Sequence, residues 1–192
     1  MLPRSALIGS LAATLFLFGC QQLPAKPRGQ DVQVVSAGEL EKANPNDIAI
    51  APIRLAEPTL HVPEQLLRES FQRALLQRRY SPLALEAVDR RVIDASYRPG
   101  ELREDAVLEI TVERWKSGPW NTTDQIDASV GARLVDARDS GGAVLWEGKL
   151  DRVLRGMEVT GPYGAEPATL GRLCDLLAAD LLAALPPRST GP

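Results

Sequence analysis

Three segments in the second half of the chain alternate apolar and polar residues with a period of two, and nothing else in the sequence limits the fold as much. Leu108, Ile110 and Val112 alternate with Glu109, Thr111 and Glu113. Ile126, Ala128, Val130, Ala132 and Leu134 alternate with Asp127, Ser129, Gly131 and Arg133. Val144, Trp146 and Leu150 share a phase opposite Glu147, Lys149 and Asp151. Successive side chains of a strand point to opposite faces, so each segment reads as a strand with one buried and one wet face. Asp139-Ser140-Gly141-Gly142, between the second and third, has the chemistry of a hairpin turn. The prediction is an antiparallel meander open to solvent on one side.

Such a sheet needs a cover for its apolar face, and two segments have the period of an amphipathic helix. Pro63 suits the first position of a helix running to about Arg79, with Leu67, Phe71, Ala74 and Leu75 along one side. Leu170, Leu173, Cys174, Leu177 and Leu181 make an apolar stripe within residues 167–185, which Pro186-Pro187 ends. Upstream, Ile48-Ala49-Ile50-Ala51-Pro52-Ile53 is a short apolar run suited to a buried strand that Pro52 bends or stops. Residues 80–85 admit another strand, and 86–104 a short helix or a loop. Two helices on one face of a one-sided sheet give a two-layer α+β sandwich, a mixed sheet containing the meander with both main helices on the same side.

The N-terminus has a different character. Arg4 is followed by residues 6–19, an uncharged apolar stretch. It is shorter than the roughly 20 residues that span a bilayer and has the layout of an export signal. Leu17-Phe18-Gly19-Cys20 resembles the bacterial lipobox, although Phe18 is larger than the residue usual there. The resemblance implies removal of residues 1–19 and acylation of Cys20, whose sulfur takes a diacylglycerol as a thioether and whose freed amine takes a further chain. Two or more chains anchor a protein stably. Gln21 stands where an Asp would retain an enterobacterial lipoprotein in the inner membrane, so the expectation is the periplasmic face of the outer membrane. Residues 20–46, with Pro24, Pro27, Gly29 and Pro45 among polar residues and only Val32-Gln33-Val34-Val35 as a possible strand, read as a tether. A periplasmic domain is expected over 47–187 and a disordered tail over 188–192.

Loss of the signal, which carries Arg4 and no acid, takes the formal net charge from −3 to −4. That balance argues against nucleic acid, which is bound by clustered Lys and Arg. With Cys20 acylated only Cys174 is left, so no disulfide within the chain is possible and the core must hold the domain. His61 is the single histidine and reads as a surface or capping residue. No Gly-x-Ser-x-Gly elbow, Ser-x-x-Lys pair or phosphate-cradling glycine loop occurs. One His and one helical Cys are too few ligands for structural zinc. The expectation is no enzyme, no catalytic residue, no metal and no cofactor.

Taken together, the lipobox, Asp47-Ile48-Ala49-Ile50-Ala51-Pro52, Asp105-Ala106-Val107-Leu108-Glu109-Ile110 and Ala132-Arg133-Leu134-Val135-Asp136-Ala137 are similar to periplasmic lipoproteins of the TolB-N-terminal/CsgG/LpoB-like superfamily. In that group a strand ends in a turn of the type Asp-x-x-(Thr/Ser)-Gly before an apolar strand with Trp. Asp136 to Trp146 resembles this, with one or two extra residues in the turn. Within the group, lipoproteins of the conserved Neisseria-antigen type, a domain of unknown function, look most alike. The resemblance covers roughly residues 47–185 and implies a non-catalytic envelope protein: an activator of wall synthesis, a secretion-channel subunit or an auxiliary part of a transport system.

Candidate binding residues come from misplaced aromatics. Trp115 falls in phase with Glu109, Thr111 and Glu113, on the wet face, unless a bulge returns it inward. Trp120 sits in the loop that follows, and Tyr163 in the long segment 156–167. Exposed aromatics bury much area at small entropic cost and are enriched at interfaces. Trp115, Trp120 and Tyr163 are therefore the candidate contacts to a partner protein, and Cys20 the contact to the membrane. The leading expectation is a lipoprotein that docks on another envelope protein as an accessory or assembly factor. The rivals are an auxiliary lipoprotein of a lipid or ABC-type transport system, which should hold an apolar cavity between its layers, and an enzyme of unrecognised type.

Overall fold

The structure, a computed structural model, describes residues 31–36, 38–93, 99–117, 125–138, 142–159 and 169–189. The three alternating segments form long strands: β5 (Ala106–Lys116), β6 (Gln125–Asp136) and β7 (Val144–Arg155). They pair antiparallel in the order β7-β6-β5, as their alternation predicts. Residues 139–141 of the expected hairpin turn lie outside the described residues, and Gly142, which follows them, has φ +60.

Before the meander come β1 (Val32–Ser36), α1 (Leu40–Ala43), β2 (Asp47–Ile50), β3 (Arg54–Leu55), α2 (Glu64–Gln77), β4 (Ser81–Pro82) and α3 (Leu85–Ile93); after it comes α4 (Leu170–Leu182). The seven strands are ordered β1-β7-β6-β5-β2-β4, with β3 also on β5. β2 runs parallel to both β5 and β4, so the sheet is mixed. β2 ends before Pro52, which has no N–H to offer a neighbouring strand.

Packing follows the strand alternation. Ile48, Ile50, Leu108, Ile110, Val130 and Leu134 point to the side covered by Leu67, Phe71 and Leu75 of α2 and Leu173, Leu177 and Leu181 of α4, all of them fully buried. Each such side chain contributes about 1.5–3 kcal/mol by leaving water. The helices lie side by side and parallel, joined on their outer surfaces by Arg73 to Asp175 at 2.6 Å. Ala49, Val107 and Ala137 point to the other side, where Val88 of α3 covers them in a second, smaller core. The sandwich expected from the sequence is therefore present, and α3 adds a partial third layer at the β2 end. Arg68 reaches from α2 to α3 at that end, with Asp89 at 2.7 Å and the Ile50 carbonyl at 2.9 Å.

The folded unit extends beyond the 47–187 expected from the sequence. β1 pairs antiparallel with β7, Val32 opposite Leu150, and Val32 packs against the main core. Gly38 then turns so close to the start of β7 that a Cβ on it would lie 2.4 Å from the Val144 carbonyl oxygen. At the other terminus, the Arg188 N–H donates to the Arg78 carbonyl at 3.0 Å and Asn44 donates to the Ser189 carbonyl at 3.2 Å. These attachments are hidden from the sequence because most of them are hydrogen bonds to main-chain groups, which leave no pattern in side-chain polarity.

Candidate functional site

The side of β1, β7, β6 and β5 that faces away from α2 and α4 carries the polar half of each alternating segment. At its centre is a depression of about 260 Å³, lined by Val35, Arg54, Glu109, Thr111, Glu113, Arg133, Glu147 and Lys149 around Gly131 and Gly148. Gly131 sits opposite Thr111 on β5 and Lys149 on β7, so the middle of the surface lacks a side chain where its neighbours have long ones. The floor is therefore low and the rim charged.

The rim is internally paired. Glu109 accepts from Arg133 Nη2 at 2.6 Å and Nε at 3.0 Å, and from Arg54 at 3.3 Å. Lys149 donates to Glu113 at 2.5 Å, a bond that holds its ammonium above the usual lysine range. Arg114 bridges Asp127 at 3.0 Å and Asp151 at 3.3 Å. These groups are exposed or half-exposed, and such pairs contribute little stability singly, about 0–1 kcal/mol each. Their effect is to fix long side chains in one pattern of alternating charge. Val35, 64 % exposed, is the apolar element on this rim.

Of the aromatic candidates, Trp115 does not belong to this surface. The β5–β6 register shifts between Val112 and Arg114, so Glu113 and Arg114 both stand on the open side, where they hold Lys149 and Asp127, and Trp115 turns inward opposite Ala128. It is 5 % exposed and part of the main core, and so is withdrawn from any partner. Strict alternation places it wrongly because one extra residue in a strand flips everything after it. Trp120, Tyr163 and Cys20 lie outside the described residues. The connections that hold Trp120 and Tyr163 leave from one end of the sheet, where Lys116, Gln125 and Arg155 lie.

Cys174 faces the core; burial, and secondarily the neighbouring Asp175, push its thiol up to about 12, so it is unreactive at neutral pH. His61 is exposed before α2. Among the described residues no group of three His, Cys, Asp or Glu side chains could hold a metal ion, and no helix is long and apolar enough to cross a membrane. The open face was legible in the alternation; its depression was not, because that depends on Gly131 standing opposite Thr111 and Lys149.

No family model and no curated protein matches the sequence. Solved structures do resemble the fold. PelC from Paraburkholderia phytofirmans, solved as a dodecamer, is 19 % identical, with 82 % of this chain and 98 % of that one covered at a TM-score of 0.50. Lipoprotein GNA1162 from Neisseria meningitidis is 24 % identical over 70 % of this chain and 93 % of that one, TM-score 0.46. The LpoB C-terminal domain from Salmonella enterica is 9 % identical over 57 % and 82 %, TM-score 0.38. At these identities the likeness to PelC is one of fold.

Proposed function

We propose that this protein is a lipoprotein of the bacterial envelope, anchored through Cys20 on the periplasmic face of the outer membrane, whose domain works by docking on another envelope protein and not by catalysis. The observation that carries this reading is the side of β1, β7, β6 and β5 that the described helices leave open, with its low floor at Gly131 and fixed pattern of alternating charge. A partner that presents the opposite pattern would be oriented by it, because electrostatic complementarity sets register and rejects wrong partners. Charge pairs that are already formed need little further ordering when a partner arrives. The lipid-transport rival has less support, since the space between sheet and helices is filled by side chains such as Phe71, Leu75, Leu108 and Leu177, all fully buried.

A second reading has its own support. PelC, similar in fold, was solved as a dodecamer, and on this reading the partner is another copy of the chain. Both readings are tested by one experiment: a photo-crosslinking residue in place of Val35, which lies on the rim and makes no charge pair, in cells that produce the protein at its native level. Capture of one dominant envelope protein is the expected result. An adduct of twice the chain's mass would identify a second copy and favour self-assembly. A pattern no different from that of a crosslinker placed at Lys42, in α1 and outside the lining of the depression, would overturn docking through this face. The aromatic candidates are tested in parallel at position 120. The same adduct there would extend the docking surface around the end of the sheet, and captured lipid would remove Trp120 from it.

A further inference from the structure

We infer that the end of the sheet marked by Lys116 and Arg155 faces the lipid bilayer and that Met157 is seated in its surface. The inference rests on the reading of Cys20 as the anchored residue.

The direction of β1 supplies the first argument. β1 is antiparallel to β7, and Val32 stands opposite Leu150 while the later residues of β1 pair back toward Glu147. Val32 is therefore the end of β1 nearer Arg155, and the preceding chain joins the sheet from that side. Eleven residues, 21 to 31, separate Cys20 from Val32. Even fully extended they reach no more than about 40 Å, and a flexible chain of that length spans about 20 Å on average. A strand of twelve residues, the length of β7, is about 40 Å long. Placing the opposite end of the domain on the membrane would require the tether to reverse at Val32 and run back past the half of β7 that precedes Leu150, roughly 20 Å, which takes up its whole average span. The Arg155 end is reached without a reversal.

The second argument is what that end exposes. Met157, in the short turn Gly156–Glu158 after β7, is 75 % exposed, the highest value among the large hydrophobic side chains described. Val153, two residues from the end of β7, is 44 % exposed, and Leu66, in the first turn of α2, is 39 % exposed. α2 begins at this end, since β3 leads into it from beside Val112 and its C-terminal end returns to Ser81, beside Asp47. A thioether side chain without branching enters an irregular apolar layer readily. Lys116 and Arg155 are exposed nearby, and their long stems let the cations reach phosphate headgroups while the carbons stay with the lipid. One shallow side chain is a weak attachment alone. With the diacyl anchor already holding the domain near the surface, it serves to orient the domain and needs little affinity of its own.

The test uses the full lipidated protein in vesicles of phosphatidylethanolamine and phosphatidylglycerol. A single cysteine is introduced by Met157→Cys, or by Lys42→Cys at the opposite end, and labelled with an environment-sensitive fluorophore; Cys20 is consumed by its lipid and Cys174 is buried. At position 157 the emission should shift to shorter wavelength on vesicle binding and be quenched by brominated lipid, with neither change at position 42. Water-like emission at both positions, or quenching only at 42, would overturn the orientation. Incorporation of labelled palmitate is measured on the same preparations. Its absence would overturn the anchor and the orientation together, whereas palmitate present with a water-like label at 157 would overturn the orientation alone.

Discussion

A few single residues decide what the surfaces of this domain look like. Gly148 is one. A Cβ on it would lie 2.7 Å from the Trp146 ring and 3.3 Å from Val32, so the indole lies flat across the strand because this position has no side chain. Trp146 is the largest fully buried side chain among the described residues, and it stands opposite Leu134 in the core. Gly148→Ala should force the ring to move and destabilise the fold by about 1–3 kcal/mol. Chemical denaturation monitored by tryptophan fluorescence would measure it, and an unchanged midpoint would mean that the ring has room the structure does not reveal. Glu113 is the second such residue. Its presence as one extra residue opposite β6 sends Trp115 into the core and places Glu113 beside Lys149.

At the scale of elements, the join between β7 and α4 depends on one cation. Arg152 occupies a core-facing position on β7, opposite Ala128, and pairs with Asp180 of α4 and with Glu158 of the turn after β7. The Asp180 side chain is almost completely buried, so its charge is tolerable only beside a compensating one. Arg152→Ala should cost about 3 kcal/mol, as removal of one partner from a buried pair does. Asp180→Asn on that background should recover part of it, and a double-mutant cycle by urea unfolding gives the coupling; additive losses would mean that the pair is not coupled. The main elements were legible in the sequence because each keeps its period over most of its length: 3.6 in α2 and α4, and two in β5, β6 and β7, broken by the register shifts after Val112 and before Trp146. The rest was not. β1 shows no alternation, with Val34 and Val35 adjacent and both exposed, and its place depends on main-chain pairing with β7. α3 is short, and its packing on Ala49 and Val107 is invisible until β2 and β5 are known to be parallel neighbours. The same holds for the candidate site: its charges were readable as a wet face, and its floor was not.

The whole molecule has a stability that should fall on the alkaline side. Burial raises the Cys174 thiol from 9.0 to about 12, with Asp175 adding to it. Burial also raises the Tyr80 hydroxyl from 10.0 to about 12, opposed by Arg78 and Arg188. In both cases the folded state favours the neutral form. That contribution is complete below the unfolded values and is lost as pH rises through the folded ones. Denaturant midpoints should hold steady to about pH 9 and then decline toward pH 12. Cys174→Ala and Tyr80→Phe should each flatten the decline, and curves identical to wild type would show that other groups govern it. The phenol donates to the Pro186 carbonyl at 2.8 Å, so ionisation there also releases the C-terminal segment.

The pairing of β1 also has a mechanical side. Hydrogen bonds between antiparallel strands run perpendicular to the strands. A pull on the chain preceding Val32, directed toward the Arg155 end, acts along β1 and loads its bonds to β7 in shear, so that they share the force and must fail together. The same pull applied from the Ser36 end and away from the sheet would peel them apart one at a time. A load applied through the chain before Val32 thus meets the sheet along its more resistant direction, with β7, the strand that also holds Trp146 and Arg152, as the bar against which β1 is tensioned.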